Sequence, residues 1–378
     1  MLTAIPVTIL LLLFTGCEEQ IENKPELNSI DVPEHLVIEL DDEHVNEVET
    51  ARIHTAKFLE LDPQLVAEQV LAEDIHTTEV YAMGLQFQTA GEGIEEYLTV
   101  YDGGKAFGKY KDQVDGGFTY SKYVKEKLIP YSNVVSIDPG PPIFGSQINK
   151  HDLTSDFQTF VDLEFMAYEE VEQVILAWFE KIGITDIETE VIYALDAETM
   201  DMHYQRFLEV VGEASDFNWT KDEEAYLVHL RQVIDQIPLI NYIWQQEVRQ
   251  GNEVTETQLY VLYNQDGVYS ADVRQLYHII ESSEEYELIS SQEALQILID
   301  HYQAQIITTE TKVDQMTLYY VGVVDGDQYQ LVPAWVFRIA EFKESVSDDG
   351  KSEPYYDYSF YVINAVNGNR ISKSSETQ

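Results

Sequence analysis

Residues 290–368 carry the pattern that most narrows the fold. Ser290 and Glu293 stand three apart ahead of an apolar run, the spacing of a helix capping box. Leu295, Leu298 and Tyr302 then recur at helical intervals. Three strand-like segments follow: 316–324, 329–339 and 355–365. Asp325-Gly326-Asp327 makes the first turn, the acidic loop 345–354 joins the second pair, and Asn367-Gly368 closes the last. One helix followed by hairpin-linked strands predicts an α+β unit, in which an antiparallel sheet buries one face against its helix.

The same plan is expected upstream. Val171, Val174, Ile175, Trp178 and Ile182 have helical spacing, and Gly183 supplies a stop. Segment 189–195 reads as a strand. Thr220 and Glu223 suggest a second helix carrying Tyr226, Leu230, Val233 and Ile237 to Pro238. A strand at 258–263 turns at Asp266-Gly267 into 268–271. Nearer the N-terminus the signals are shorter: strands at 36–40, 84–88 and 96–101, and a helix at 65–71. Gly103-Gly104, Gly116-Gly117 and Pro139-Gly140-Pro141-Pro142 punctuate that stretch. The expected organisation is an N-terminal region (34–150), a central α+β unit (151–285) and a C-terminal α+β unit (286–372). The last two read as a weak repeat of one helix packed on an antiparallel sheet. Tyrosine, with 25 copies, suits half-buried pleated surfaces and supports the emphasis on strands.

Residues 5–14 are almost unbrokenly apolar, interrupted by Pro6 and Thr8. As a helix such a run would span about half a bilayer core, so it has the length of a signal-peptide core. Phe14-Thr15-Gly16-Cys17 follows and resembles the bacterial lipobox, an apolar residue and two small ones ahead of the cysteine that receives lipid. The resemblance implies a signal peptide at 1–16 and lipid attachment at Cys17. A flexible tether is expected at 17–33, a stretch rich in Glu, Asn and Pro. The implied location is the extracytoplasmic face of a cell membrane, in a Gram-positive organism. Met1–Ala4 lacks the Lys or Arg usual ahead of such a core, and Phe14 replaces the usual Leu. Cys17 is the only cysteine, so no disulfide can form within the chain.

Asp and Glu number 69 against 22 Lys and Arg, a formal charge of -47. That potential repels nucleic-acid phosphates and anionic lipid headgroups, which excludes nucleic acid as a partner and leaves membrane lipid reached through Cys17.

Leu331-Val332-Pro333-Ala334-Trp335-Val336-Phe337 and Tyr361-Val362-Ile363-Asn364-Ala365-Val366-Asn367-Gly368 together resemble the C-terminal region of an uncharacterised family of Firmicute lipoproteins. A looser likeness runs to the YycH and YycI proteins, which regulate an essential sensor kinase from outside the membrane, and to PepSY-like modules. The resemblance implies an α+β fold with an accessory or regulatory role at the cell surface. Those two regulators use an N-terminal transmembrane helix, whereas this chain offers a lipid anchor. Pro333 cannot donate to a ladder and is expected at an edge or bulge. Trp335 is expected in the core, and Asn364 and Gly368 in turns.

Catalytic constellations do not emerge. Gly103-Gly104-Lys105-Ala106-Phe107-Gly108-Lys109 fits G-x-x-x-x-G-K, but Tyr110 stands where a P-loop needs Ser or Thr. The nine histidines are scattered, with His229 and His301 expected on exposed helix sides. Asp325, Asp327, Asp348 and Asp349 are the best oxygen ligands for calcium, yet they lack the EF-hand order. Carboxylates are too numerous for any pair to suggest a glycosidase. The expected protein is therefore non-catalytic, without metal or cofactor, and binds or modulates an envelope protein. A sensor-kinase regulator and a glycan or peptide hydrolase are the alternatives.

Overall fold

In the computed structural model, residues 32–40, 48–59, 75–81, 84–89, 94–100, 118–124, 129–131, 156–212, 214–241, 257–346 and 352–371 are described. The architecture is α+β: a six-stranded and a ten-stranded sheet, with three α-helices among the described residues.

Numbering in chain order, the six-stranded sheet contains β1 (Leu36–Ile38), β2 (Thr50–Phe58), β13 (Tyr277–Glu287), β14 (Thr311–Asp325), β15 (Gln328–Val346) and β16 (Ser352–Asn364). Its order is β1-β14-β15-β2-β13, with β16 also on β15. All its pairs are antiparallel except β1 with β14. The ten-stranded sheet runs β3 (Ile75–Tyr81), β4 (Gly84–Thr89), β5 (Ile94–Val100), β6 (Phe118–Val124), β12 (Gly267–Arg274), β11 (Gln258–Asn264), β9 (Ala225–Ile234), β8 (Ile187–Leu195) and β7 (Gln158–Thr159). Strand β10 (Ile237–Pro238) pairs with β9, and the sheet is antiparallel throughout.

Strand alternation sorts the cores. Helix α1 (Tyr168–Lys181) lays Val171, Ile175, Trp178 and Phe179 on the face formed by Ile192, Tyr226, Val228, Leu230 and Val261. Helix α2 (Ala197–Val211) brings Met200 and Tyr204 to the opposite face, against Leu195, Leu227 and Leu262. Helix α3 (Ser291–Gln303) sets Ala294, Leu295, Leu298 and Ile299 on the six-stranded sheet against Met316, Leu318, Trp335 and Phe337. The capping box expected at Ser290 is present, with Glu293 N donating to Ser290 Oγ at 3.2 Å and Ser290 N to Glu293 Oε2 at 2.8 Å. Trp335 is 2% exposed and its Nε1 donates to Ile289 O at 2.9 Å, which fixes the approach to α3. The Asn367-Gly368 turn is present too, with Gly368 at φ 72° and donating to Asn364 O at 2.9 Å.

Pro333 departs from expectation. It lies inside β15, which has a neighbour on both sides. On one side β15 pairs with β2 through Leu331 and then with β16 from Ala334. Pro333 O accepts from Ala365 N at 2.8 Å, so its ring nitrogen faces the same way, into the handover between the two partners. A missing donor costs no ladder bond there.

The second expected helix is a correction. Thr220 and Glu223 do form a capping box, but it closes a three-residue 3-10 turn, Lys221–Glu223. Tyr226, Leu230 and Val233 belong to β9, and Ile237 to β10. Helices cover both faces of β9, so its apolar residues run continuously and satisfy helical spacing by coincidence. Helix α2 was not expected. The expected helix at 65–71, the glycine and proline breakers and the loop at Asp348 lie outside the described residues. Sheet membership also crosses the sequence regions: β1 and β2 join the C-terminal strands, β3 to β6 join the central ones, and β13 spans position 285.

Candidate functional site

Phe14, Thr15, Gly16 and Cys17 lie outside the described residues, as do Gly103–Lys109, Asp348 and Asp349. Of the calcium candidates, Asp325 Oδ2 accepts from Gln330 Nε2 at 3.2 Å and Asp327 pairs with Lys57 at 3.5 Å. Among the described residues no three His, Cys, Asp or Glu converge on a metal-sized site.

A polar cluster sits where the sheets meet. Residues 234–240 carry Ile234, Ile237 and Leu239 from the ten-stranded sheet into the α3 core. Leu239 forms a parallel bridge with Tyr320, and Ile240 N donates to Tyr320 O at 3.0 Å. Gln232 acts as a substitute backbone: its Nε2 donates to Tyr277 O at 2.8 Å and its Oε1 accepts from Tyr277 N at 2.9 Å. The β9–β10 turn puts Asp235 and Gln236 at φ 49° and 69°, the left-handed pair of a tight hairpin.

That turn points Asp235 at His54 on β2. His54 is 2% exposed; its Nε2 lies 3.3 Å from Asp235 Oδ2 and 3.1 Å from Tyr320 Oη, while Nδ1 lies 2.9 Å from Ser282 Oγ. Tyr320 Oη donates to Arg52 O at 2.9 Å, so it can only accept from His54. The hydrogen therefore sits on Nε2, and Nδ1 accepts from Ser282. Burial holds the imidazole below its usual value, and Asp235 opposes the shift without reversing it. The result is a neutral histidine joining a serine hydroxyl to a carboxylate, the connectivity of a nucleophile, a base and its orienting acid. Ser282 is exposed and flanked by register shifts in β13. That strand also carries Glu281, Glu284, Glu285 and Glu287, whose potential opposes growth of negative charge on an acylating centre.

Two further histidines are internal. His203 on α2 is 2% exposed, stacked on Phe157 at 5.3 Å, and its Nε2 lies 3.1 Å from Asp156, which Arg206 also approaches at 3.5 Å. His229, expected on an exposed helix side, is 1% exposed on β9. Its ring lies between Tyr193 (5.8 Å) and Tyr260 (6.0 Å), neither nitrogen has a hydrogen-bond partner among the described residues, and burial pushes it down to about 3. His301 is on α3 as expected but half-buried, 4.7 Å from the Tyr361 ring. Burial, then Arg370, holds it below the usual histidine value. Sequence reasoning missed His54, Asp235, Ser282 and Tyr320 as a group, since 228 and 266 positions separate His54 from two of its partners.

The class these sheets define is a strand-rich α+β protein with two mainly antiparallel sheets. No known protein family and no curated protein matches the chain. Among solved structures it is similar to an uncharacterized protein from Eubacterium rectale ATCC 33656, with a TM-score of 0.55 and 16% identity. The likeness covers 90% of this chain and 92% of that one, and it concerns the fold alone.

Proposed function

We propose that this protein is anchored by lipid on Cys17 at the outer face of the cytoplasmic membrane. There its folded body binds or modulates another envelope component without chemically changing it. The observation that carries this is the sequence of residues 5–17, an apolar core ending in Phe14-Thr15-Gly16-Cys17 with the chain's sole cysteine in the acceptor place. One acyl chain holds a protein only marginally, whereas two, as this modification supplies, hold it against the repulsion of the acidic body. His54, Gln232 and His203 direct their polar atoms at neighbouring elements of the fold, so these contacts belong to its internal bonding. The helix-plus-sheet units would then be two halves of a surface scaffold.

Expression with an alkyne-labelled palmitate in a bacterial host tests the anchor. The wild-type chain takes up label and sediments with membranes, and Cys17→Ser does neither. An unlabelled wild-type chain would end the proposal. Affinity purification of the lipidated protein is expected to bring down one envelope protein in stoichiometric amount.

The Ser282–His54–Asp235 connectivity favours a second reading, an envelope hydrolase. A fluorophosphonate probe that labels the wild type and spares Ser282→Ala would carry it.

A further inference from the structure

The loop ahead of α1 presents two large apolar side chains to water and is firmly held while doing so. Phe160 is 45% exposed and Val161 40%. Phe160 has φ 54°, a left-handed conformation that a bulky residue ordinarily avoids. Its N–H donates to Ile192 O at 2.9 Å. Just beyond, the buried phenol of Tyr226 accepts from Leu163 N at 2.5 Å and donates to Met166 O at 2.8 Å. Asp162 Oδ1 accepts from Tyr168 N at 3.1 Å, and the Tyr168 ring meets Phe160 edge-on at 5.8 Å. A connection with no other role would place glycine at position 160 or turn the ring inward. Strain retained at an exposed, well-pinned aromatic argues for a use of that aromatic.

The surroundings say what kind of use. Asp162, Glu164, Glu169, Glu170 and Glu172 lie on this loop and the first turns of α1, Asp156 before them is engaged by His203 and Arg206, and no Lys or Arg occurs between 151 and 180. Lys221 reaches the rim, where it is engaged with Glu164. We propose that the Phe160–Val161 tip is a preformed docking element for a protein surface bearing an apolar socket rimmed by Lys and Arg. An apolar centre within a charged rim is the anatomy of a specific protein interface, and the acidic rim selects a basic counterpart. Anionic headgroups are repelled by the same rim, and a second copy would set acid against acid.

This deepens the binding role proposed above. A failed docking test removes this surface alone, whereas failed palmitate labelling removes the anchor. The test uses the full lipidated chain in phosphatidylcholine nanodiscs, with empty discs as blank. Two hexapeptides of equal charge are titrated, Lys-Lys-Trp-Leu-Lys-Lys and Lys-Lys-Gly-Ser-Lys-Lys. The first should bind the wild type about tenfold more tightly, equivalent to ~1.4 kcal/mol. Phe160→Ser/Val161→Ser should lose that preference while binding the second peptide unchanged. Phe160→Gly controls for folding, since glycine suits the backbone there: Tm holds or rises while the preference disappears. The proposal is overturned if the preference survives either variant, or if Phe160→Gly lowers Tm. It is equally overturned if Phe160 proves necessary for self-association in sedimentation, or for binding of the Cys17→Ser chain to phosphatidylcholine vesicles.

Discussion

His229 is buried among tyrosines with both ring nitrogens unbonded among the described residues, so the neutral ring is favoured there. The unfolded chain binds a proton on this residue near its ordinary value of 6.5, and the folded chain only near 3. Stability is therefore intact above pH 6.5 and falls as pH drops toward 3, with a slope of up to ~1.4 kcal/mol per pH unit. His54 adds a loss of the same sign. Urea denaturation of His229→Leu at pH 7 and pH 4.5 should show a smaller loss of stability than the wild type. A second residue-scale effect lies in the β9–β10 turn. Gln236 holds φ 69° and is exposed, whereas Asp235 beside it is needed by His54. Gln236→Gly should raise unfolding free energy by about 1 kcal/mol, while Asp235→Gly should lower it by removing the partner of a buried imidazole.

At the scale of elements, helix α3 is the most legible, because cap, periodicity and stop agree. Ser290→Ala removes one acceptor and frees the Glu293 carboxylate, which its bonds to Ser290 hold below the usual range. A loss of about 1 kcal/mol is expected by chemical denaturation. Strands β14 to β16 were legible because Asp325-Gly326 and Asn367-Gly368 bracket apolar runs rich in aromatic and β-branched residues. Strand β2 was not: its buried positions are Ala51, His54, Ala56 and Phe58, two of them alanine and one polar, and they do not keep a single two-residue period. Helix α2 carries its own signals, Asp196 capping Thr199 N at 2.9 Å and Gly212 at φ 69°. The misreading of β9 shows how a strand buried on both faces loses the period that identifies it. The His54 cluster left no local trace, since tertiary structure alone assembles it.

Over the whole molecule, a charge of -47 opposes compaction at neutral pH. Raising NaCl from about 0.01 M to about 0.5 M, which shrinks the screening length from ~30 Å to under ~5 Å, should raise Tm by a few degrees. Differential scanning calorimetry at pH 7.5 checks this, and a flat or falling Tm would contradict it. The sheets also impose an order in time. Strand β2 is clasped between β13 and β15, its ladder partners running from Tyr277, opposite Phe58, to Leu331, opposite His54. A chain made from its N-terminus onward delivers residues 50–58 long before those partners arrive. During that interval the strand has no ladder to join, and its backbone stays open to proteolysis. Synthesis interrupted before Tyr329 would leave β2 without its ladder to β15.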